Sequence, residues 1–469
     1  MNLRKIGWVL AVAWFIHVGR AAEQKPNIIL ILADDLGYGE LGSYGQKLIQ
    51  TPSLDRMAAE GMRFTQFYAG STVCAPSRSV LMTGQHTGHT RVRGNAGADN
   101  SAAQTLLAGD VTVARVLQQA GYRTGLIGKW GLGLIEEEGE PRKQGFDTYF
   151  GFLSQTHAHN SFPDHLWRDG VKVPLPNDLT QIGAVEGTGY ATKRLAYAGD
   201  LFAQEAQRFI AENAARPFLL YLSVIVPHAN NERARALGDG HEVPDYGPYA
   251  NKGWPDTYKA HAAMITRLDQ QIGELLADLK RRGLDERTIV MFASDNGPHQ
   301  EAGAGYDPAF FEVCGPLTGM KRSLTEGGIR IPFIVRWPGK IKGGVESKHV
   351  GYFGDLMATF AELGGGAAPS NLDSISLVPT WLGRGAQKKH EYLYWEFYEN
   401  GVSQAVLLDG HWKGLRLANT AAPIQLFDLS TDLSEQNNLA AKQPEVVKRI
   451  AEIMRTAHVD NAHWKIPER

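Results

Sequence analysis

Residues 27–33 (Asn-Ile-Ile-Leu-Ile-Leu-Ala) are apolar almost without interruption and run into Asp34-Asp35. A strand buried on both faces reads this way, because neither side of its pleat meets water. Residues 53–62 instead place Leu54, Met57 and Ala58 at helical spacing, with one apolar face. The alternation continues: 113–120 predicts a helix closed by Gly121, 123–127 a strand, 201–213 a helix and 218–226 another apolar strand. Over 259–282, Ile265, Leu268, Ile272, Leu275, Leu276 and Leu279 form one stripe, with charges on the opposite side. Gly283 ends that helix, and 288–294 predicts the next strand. Such alternation predicts an α/β fold, a mainly parallel sheet sandwiched by helices.

Beyond about residue 385 the pattern changes. Short strands are predicted at 404–408, 412–417 and 425–429, then a helix over 444–457 with Val447, Ile450, Ile453 and Met454 apolar. The expected organisation is a main domain over 23–385 and a small C-terminal α+β domain over 386–469, built from antiparallel strands and one helix.

Composition narrows the class. At 469 residues the chain has ample material for a core, and 43% hydrophobic with 21% charged residues is ordinary for a globular protein. A formal net charge of −2 gives no reason to expect nucleic acid or a membrane surface as partner. Residues 1–22 read as a signal peptide: Arg4 and Lys5, an apolar run over 6–18, then Gly19-Arg20-Ala21. The apolar run is short for a membrane span, so an exported, periplasmic or secreted protein without stable membrane insertion is expected. Two cysteines, Cys74 and Cys314, exclude a disulfide framework.

Candidate chemistry gathers at predicted strand ends. Asp34, Asp35, Lys129, His228, Asp295 and Asn296 all fall at or just past them, where open α/β sheets keep their sites. Asp34, Asp35, Asp295 and Asn296 offer four oxygen donors suited to a hard divalent cation, with calcium favoured by its flexible geometry. Both pairs also read as polar turns. In Cys74-Ala75-Pro76-Ser77-Arg78, followed by Leu81-Met82-Thr83-Gly84, Pro76 suits the first turn of a helix. Cys74 would then lie at a helix N-terminus, which favours an anion. On residues alone, Cys74 also reads as a small buried thiol or a disulfide partner for Cys314.

The Cys-x-Pro-x-Arg stretch resembles the arylsulfatase-type, formylglycine-dependent sulfatases of the alkaline phosphatase-like superfamily. Gly121-Tyr122-Arg123-Thr124-Gly125-Leu126-Ile127-Gly128-Lys129-Trp130 is similar to their second signature, and the resemblance spans roughly 26–440. It implies that a maturation enzyme oxidises Cys74 to formylglycine, whose hydrate attacks a sulfate monoester. It implies one calcium ion on Asp34, Asp35, Asp295, Asn296 and the modified Cys74. Arg78 would position the hydrate, Lys129 and Lys321 would grip sulfate, and His228 would assist the leaving group. Many sulfatases carry histidine two residues after the signature lysine; this chain has Gly131 there. His157 is the expected substitute, then His159, with His299 a further candidate. Arg233, Tyr246, Tyr249, Trp254, Trp395, Phe397 and Tyr398 suit sugar faces, though packing explains any one of them. The expected substrate is a sulfated carbohydrate or aryl sulfate. The competing readings are a phosphodiester or phosphonate monoester hydrolase, and a non-catalytic sulfated-glycan binder.

Overall fold

The strand Asn27–Asp34 lies at the centre of an 11-stranded mixed sheet. The structure, a computed structural model, describes residues 25–96 and 102–466, so the expected signal peptide lies outside the described residues. Parallel neighbours flank the central strand: Thr288–Ser294 on one side and Phe218–Pro227 on the other. Arg123–Lys129 and Thr148–Phe152 extend the parallel half beyond the latter. Beyond Thr288–Ser294 the sheet turns antiparallel, with Arg330–Arg336 and then Met62–Tyr68.

Side-chain alternation along the central strand divides the core. Ile28, Leu30 and Leu32 enter one hydrophobic cluster, with residues of the helices Cys74–Thr83, Val113–Gln119 and Asp355–Gly364. Ile29, Ile31 and Ala33 enter another on the opposite face, against Pro52–Glu60, Ala198–Asn213 and Asp256–Arg281. The six-residue stripe of the long helix is wholly buried in this second cluster. Each such Leu or Ile contributes about 1.5–3 kcal/mol relative to exposure, so the stripe anchors the helix to the sheet.

The expected α/β sandwich and its C-terminal appendage are both present. Tyr392–Phe397, Ser403–Leu408, Trp412–Arg416 and Gln425–Asp428 form a four-stranded antiparallel sheet. Its outer face, with Tyr394, Val406, Leu408 and Leu426, packs on Ile450 and Met454 of the helix Pro444–Thr456. Its inner face, with Leu393, Trp395, Ala405, Leu407 and Leu415, belongs to the first cluster of the main sheet. Two readings need correction. The helix expected over 53–62 stops at Glu60, and Met62 opens a strand instead. The strand Tyr392–Phe397 was not anticipated. No helix among the described residues is long and apolar enough to cross a membrane.

Candidate active site

Four strand ends and one helix start converge. Asp34 closes the central strand, and Asp35 follows it with a left-handed φ of +64°, a conformation costly for a residue with a Cβ. Asp35 N–H donates to Asp295 Oδ1 at 3.1 Å, just past the neighbouring strand, which ties the two ends together. The helix Cys74–Thr83 begins at Cys74 itself, with Pro76 in its first turn, and every residue of it is buried.

Cys74 is 3% exposed, and its Sγ lies 3.5 Å from Asp34 Oδ1. Burial pushes the thiol up, and Asp34 and Asp295 add to that against the pull of Lys129. An unmodified sulfhydryl here is therefore protonated and a weak nucleophile. Neither cysteine is in a disulfide; Cys314 Sγ instead faces Gly319 O at 3.2 Å. Arg78 is fully buried. Its Nε and Nη2 donate to Asp295 Oδ2 at 3.1 and 2.8 Å, and its Nη1 donates to Lys129 O at 2.8 Å and to Ser223 Oγ.

Two lysines reach the carboxylates, one to each aspartate. Lys129 Nζ donates to Asp34 Oδ2 at 2.7 Å. Lys321 Nζ donates to Asp35 Oδ2 at 2.8 Å and to Glu301 Oε2 at 3.0 Å, and lies 3.1 Å from His228 Nε2. Burial pushes the Asp34 carboxyl up, but Lys129, His228 and Arg78 outweigh it and hold Asp34 well below the usual range. His228 faces Ala229 O through Nδ1 at 2.6 Å, so that nitrogen carries the proton and Nε2 keeps its lone pair. Burial, then the Lys321 charge, bring this imidazole down to about 3.

The carboxylates fit a cation. Burial, reinforced by the negative charge of Asp34, raises Asp295 to about 7. Asn296 Nδ2 donates to Asp35 Oδ1 at 2.7 Å, while its Oδ1 is buried without a partner among the described residues. Asp34, Asp35, Cys74 and His228 bring ligand atoms within 4.8 Å of one another. Three crowded carboxylates and an orphan amide oxygen are the donor set of a hard divalent cation.

The cluster brings together Asp34, Asp35, Cys74, Arg78, Lys129, His228, Asp295, Asn296 and Lys321. His157 is the exception. Its ring stands edge-on to Phe152 and packs against His165, and burial followed by the His165 charge brings it down to about 3. The single turn His157–His159 turns His157 inward, and it is His159 that stacks on His228, with centroids 4.8 Å apart. His159 Nδ1 is 3.0 Å from Glu232 Oε2. His299 lies beyond His228, at 6.1 Å, with Nε2 facing Pro227 O. Most of the candidate aromatics pack: Tyr249, Trp395 and Phe397 are core residues, and Trp254 stacks on Tyr249. Tyr398 hydrogen-bonds Glu396, and Arg233 pairs with Asp239 and Glu242.

Glu301 was not anticipated. It bridges Lys321 and Arg322, and Arg322 Nε in turn donates to Glu399 Oε2 at 2.7 Å, on the turn after Tyr392–Phe397. Its one signal in the sequence was position, a few residues past Asp295-Asn296.

A family model for sulfatases matches residues 26–367, and one for the C-terminal part of N-sulphoglucosamine sulphohydrolase matches 320–460. An N-acetylgalactosamine-6-O-sulfatase of Bacteroides thetaiotaomicron is 31% identical, across 92% of this chain and 93% of its own. Arylsulfatase A of Bos taurus is 32% identical, across 94% and 88%. The crystal structure of Ps i-CgsB, also solved with k-i-k-neocarrahexaose, aligns with a TM-score of 0.76 at 27% identity over 94% of each chain. Matched along most of its length by the sulfatase model, and over 92% and 94% of it by two sulfatases, this chain belongs to the sulfatase family and is a sulfuric ester hydrolase.

Proposed function

We propose that the protein hydrolyses sulfate monoesters of a sulfated carbohydrate outside the cytoplasm, with formylglycine made from Cys74 and one calcium ion. The observation that carries this reading is Cys74 at a buried helix start, facing two lysines paired with the carboxylates of a cation site. Sulfated carbohydrate is supported by the relatives, one named for N-acetylgalactosamine 6-O-sulfate and one solved with a neocarrahexaose. Export rests on the signal-like residues 1–22, and the division at 385/386 on the change of pattern there.

Asp34, Asp35, Asp295 and Asn296 would hold calcium, with an oxygen of the modified Cys74. The ion would supply positive charge that orients and polarises the sulfate. Once oxidised and hydrated by way of a maturation enzyme, Cys74 would offer one hydroxyl to attack sulfur and a second whose collapse releases sulfate. Lys129 and Lys321 donate to sulfate oxygens as charge builds there. Arg78, fixed on Asp295 and Lys129 O, braces the nucleophile position. The proton for the departing alkoxide starts on the Lys321 ammonium, 3.1 Å from His228 Nε2; Nε2 accepts it and passes it to the leaving oxygen, and Lys321 is left neutral until water reprotonates it.

Mass spectrometry of the tryptic peptide 64–78 from the native host is expected to show aldehyde in place of thiol. Parallel assays with an aryl sulfate and an aryl phosphodiester should favour the sulfate. Full sulfate turnover with an intact thiol, or faster turnover of the diester, overturns the proposal. A non-catalytic glycan binder would keep its function after Cys74→Ala.

A further inference from the structure

Gly131 leaves the strand Arg123–Lys129 two residues past Lys129, with a left-handed φ of +79°. The strand Thr148–Phe152 runs parallel beside it, with Lys129 opposite Phe152. The backbone after both strands therefore emerges at the edge where Cys74 sits, and Gly131 N–H donates to Leu153 O at 3.1 Å. Gln155 folds back over this glycine. Its Nε2 lies 2.1 Å from where a Cβ at position 131 would stand. A side chain at 131 and the Gln155 amide thus compete for one volume.

That amide is unsatisfied. Among the described residues, Nε2 and Oε1 of Gln155 are both buried without a hydrogen-bond partner. A primary amide brings two donors and a two-lone-pair acceptor, and native folds seldom bury one with nothing opposite it. The group lines a cavity of about 220 Å³ with Ala96, Gln104, Thr105, Ser154 and Leu134. The cavity wall is joined to the nucleophile position. Ala75 N–H donates to Asn95 Oδ1 at 3.1 Å, and Ala96 N–H donates to Gln104 Oε1 at 2.9 Å. Gln104 Nε2 then donates to Gly131 O at 3.0 Å. These three hydrogen bonds, with the chain from Asn95 to Ala96 between the first two, connect the residue after Cys74 to the backbone under Gln155.

We propose that Gln155 contacts substrate: its amide hydrogen-bonds the sulfate ester seated over Cys74, and the adjoining cavity takes the hydroxyl-bearing part of the substrate next to the sulfate. The inference rests on the sulfatase reading of Cys74. A neutral amide suits the position, because it donates to an anionic oxygen without itself titrating.

The test uses full-length protein, calcium-loaded and with formylglycine content measured, as parent, Gln155→Met and Gln155→Glu. Methionine keeps the length and packing of glutamine and removes the amide. Inorganic sulfate binding is read by calorimetry, and kcat/KM is read on a sulfated monosaccharide and an aryl sulfate. Gln155→Met is expected to melt with the parent, bind sulfate about tenfold more weakly and lose about 10- to 100-fold in kcat/KM. The loss should be greater on the sugar than on the aryl ester. Gln155→Glu should lose sulfate binding as pH rises through the carboxylate range, a dependence absent from the parent. Sulfate binding and turnover within twofold of the parent for Gln155→Met, or parent-like pH dependence for Gln155→Glu, overturns the proposal. A parent that cleaves only the aryl phosphodiester rejects the sulfatase reading instead, and the same Gln155→Met comparison on that ester then decides the role of the residue.

Discussion

The ammonium of Lys321 is divided among Asp35, Glu301 and the one ring nitrogen of His228 that lacks a proton. If His228 delivers a proton to the leaving oxygen, its loss matters most where that oxygen is a poor leaving group. His228→Ala is expected to cut kcat about 10²- to 10⁴-fold on an alkyl sulfate, and far less on a nitrophenyl sulfate. Equal losses on both esters would reject the acid role. Cys74→Ala should abolish turnover while costing about 1 kcal/mol of stability, since only the terminal group of one small buried side chain is lost; thermal melts and assays of the same preparation check both halves. At this scale the sequence was informative where a residue ended a recognisable strand or opened a helix, as with Asp34, Asp35, Asp295 and Cys74. Gln155 and the stacking of His159 on His228 were invisible, and Glu301 was marked only by its place after Asp295-Asn296. Loop side chains are aimed by the tertiary path, and no period marks them.

Among the elements, His390 ties the approach to the strand Tyr392–Phe397 to the start of the helix Asp355–Gly364, with Nε2 2.8 Å from Asp355 Oδ1. Burial pulls this imidazole down, but Asp355 outweighs it and the net shift is upward from 6.5. A raised histidine stabilises the fold fully below its unfolded value and loses that contribution as pH rises through the folded one. The melting temperature of the parent should therefore exceed that of His390→Gln below about pH 6.5, and the gap should narrow as pH climbs above it. A gap independent of pH would assign His390 to packing alone. Four parallel strands were readable, at 27–33, 123–127, 218–226 and 288–294, because they are largely apolar runs alternating with helical patterns; the fifth, Thr148–Phe152, was not. The antiparallel half was not. Arg330–Arg336 contains Pro332, which argues against a strand; the pairing tolerates it because the register shifts between Ile331 and Phe333. Met62–Tyr68 follows its helix after the single residue Gly61, so the helical pattern ran on into it.

Across the whole molecule, the small C-terminal sheet is bonded to the main domain by a buried charge network. Lys413 Nζ donates to Glu326 Oε1 at 2.7 Å, Arg330 Nη1 and Tyr68 Oη donate to Glu326 Oε2, and Glu326 N–H donates to Glu435 Oε2 at 2.7 Å. Lys413→Met would leave Glu326 to Arg330 and Tyr68 alone and take the nearby cation from Glu435; it is expected to destabilise the protein by about 3 kcal/mol, measurable by urea unfolding. Chelation tests the proposed cation in the same global readout. The metal-free protein should melt lower, with calcium restoring more than magnesium, because Asp34, Asp35 and Asp295 are left crowded. Identical melts with and without chelator would remove calcium from the mechanism.

The inner face of the four-stranded sheet carries Leu393, Trp395, Ala405, Leu407 and Leu415 into the same cluster as Ile28, Leu30 and Leu32. The two halves thus share one hydrophobic cluster, and cutting them apart exposes that inner face although each keeps a cluster of its own. Calorimetry should record one melting peak rather than two, and a chain nicked near residue 390 should precipitate as two sticky fragments instead of yielding an independent module.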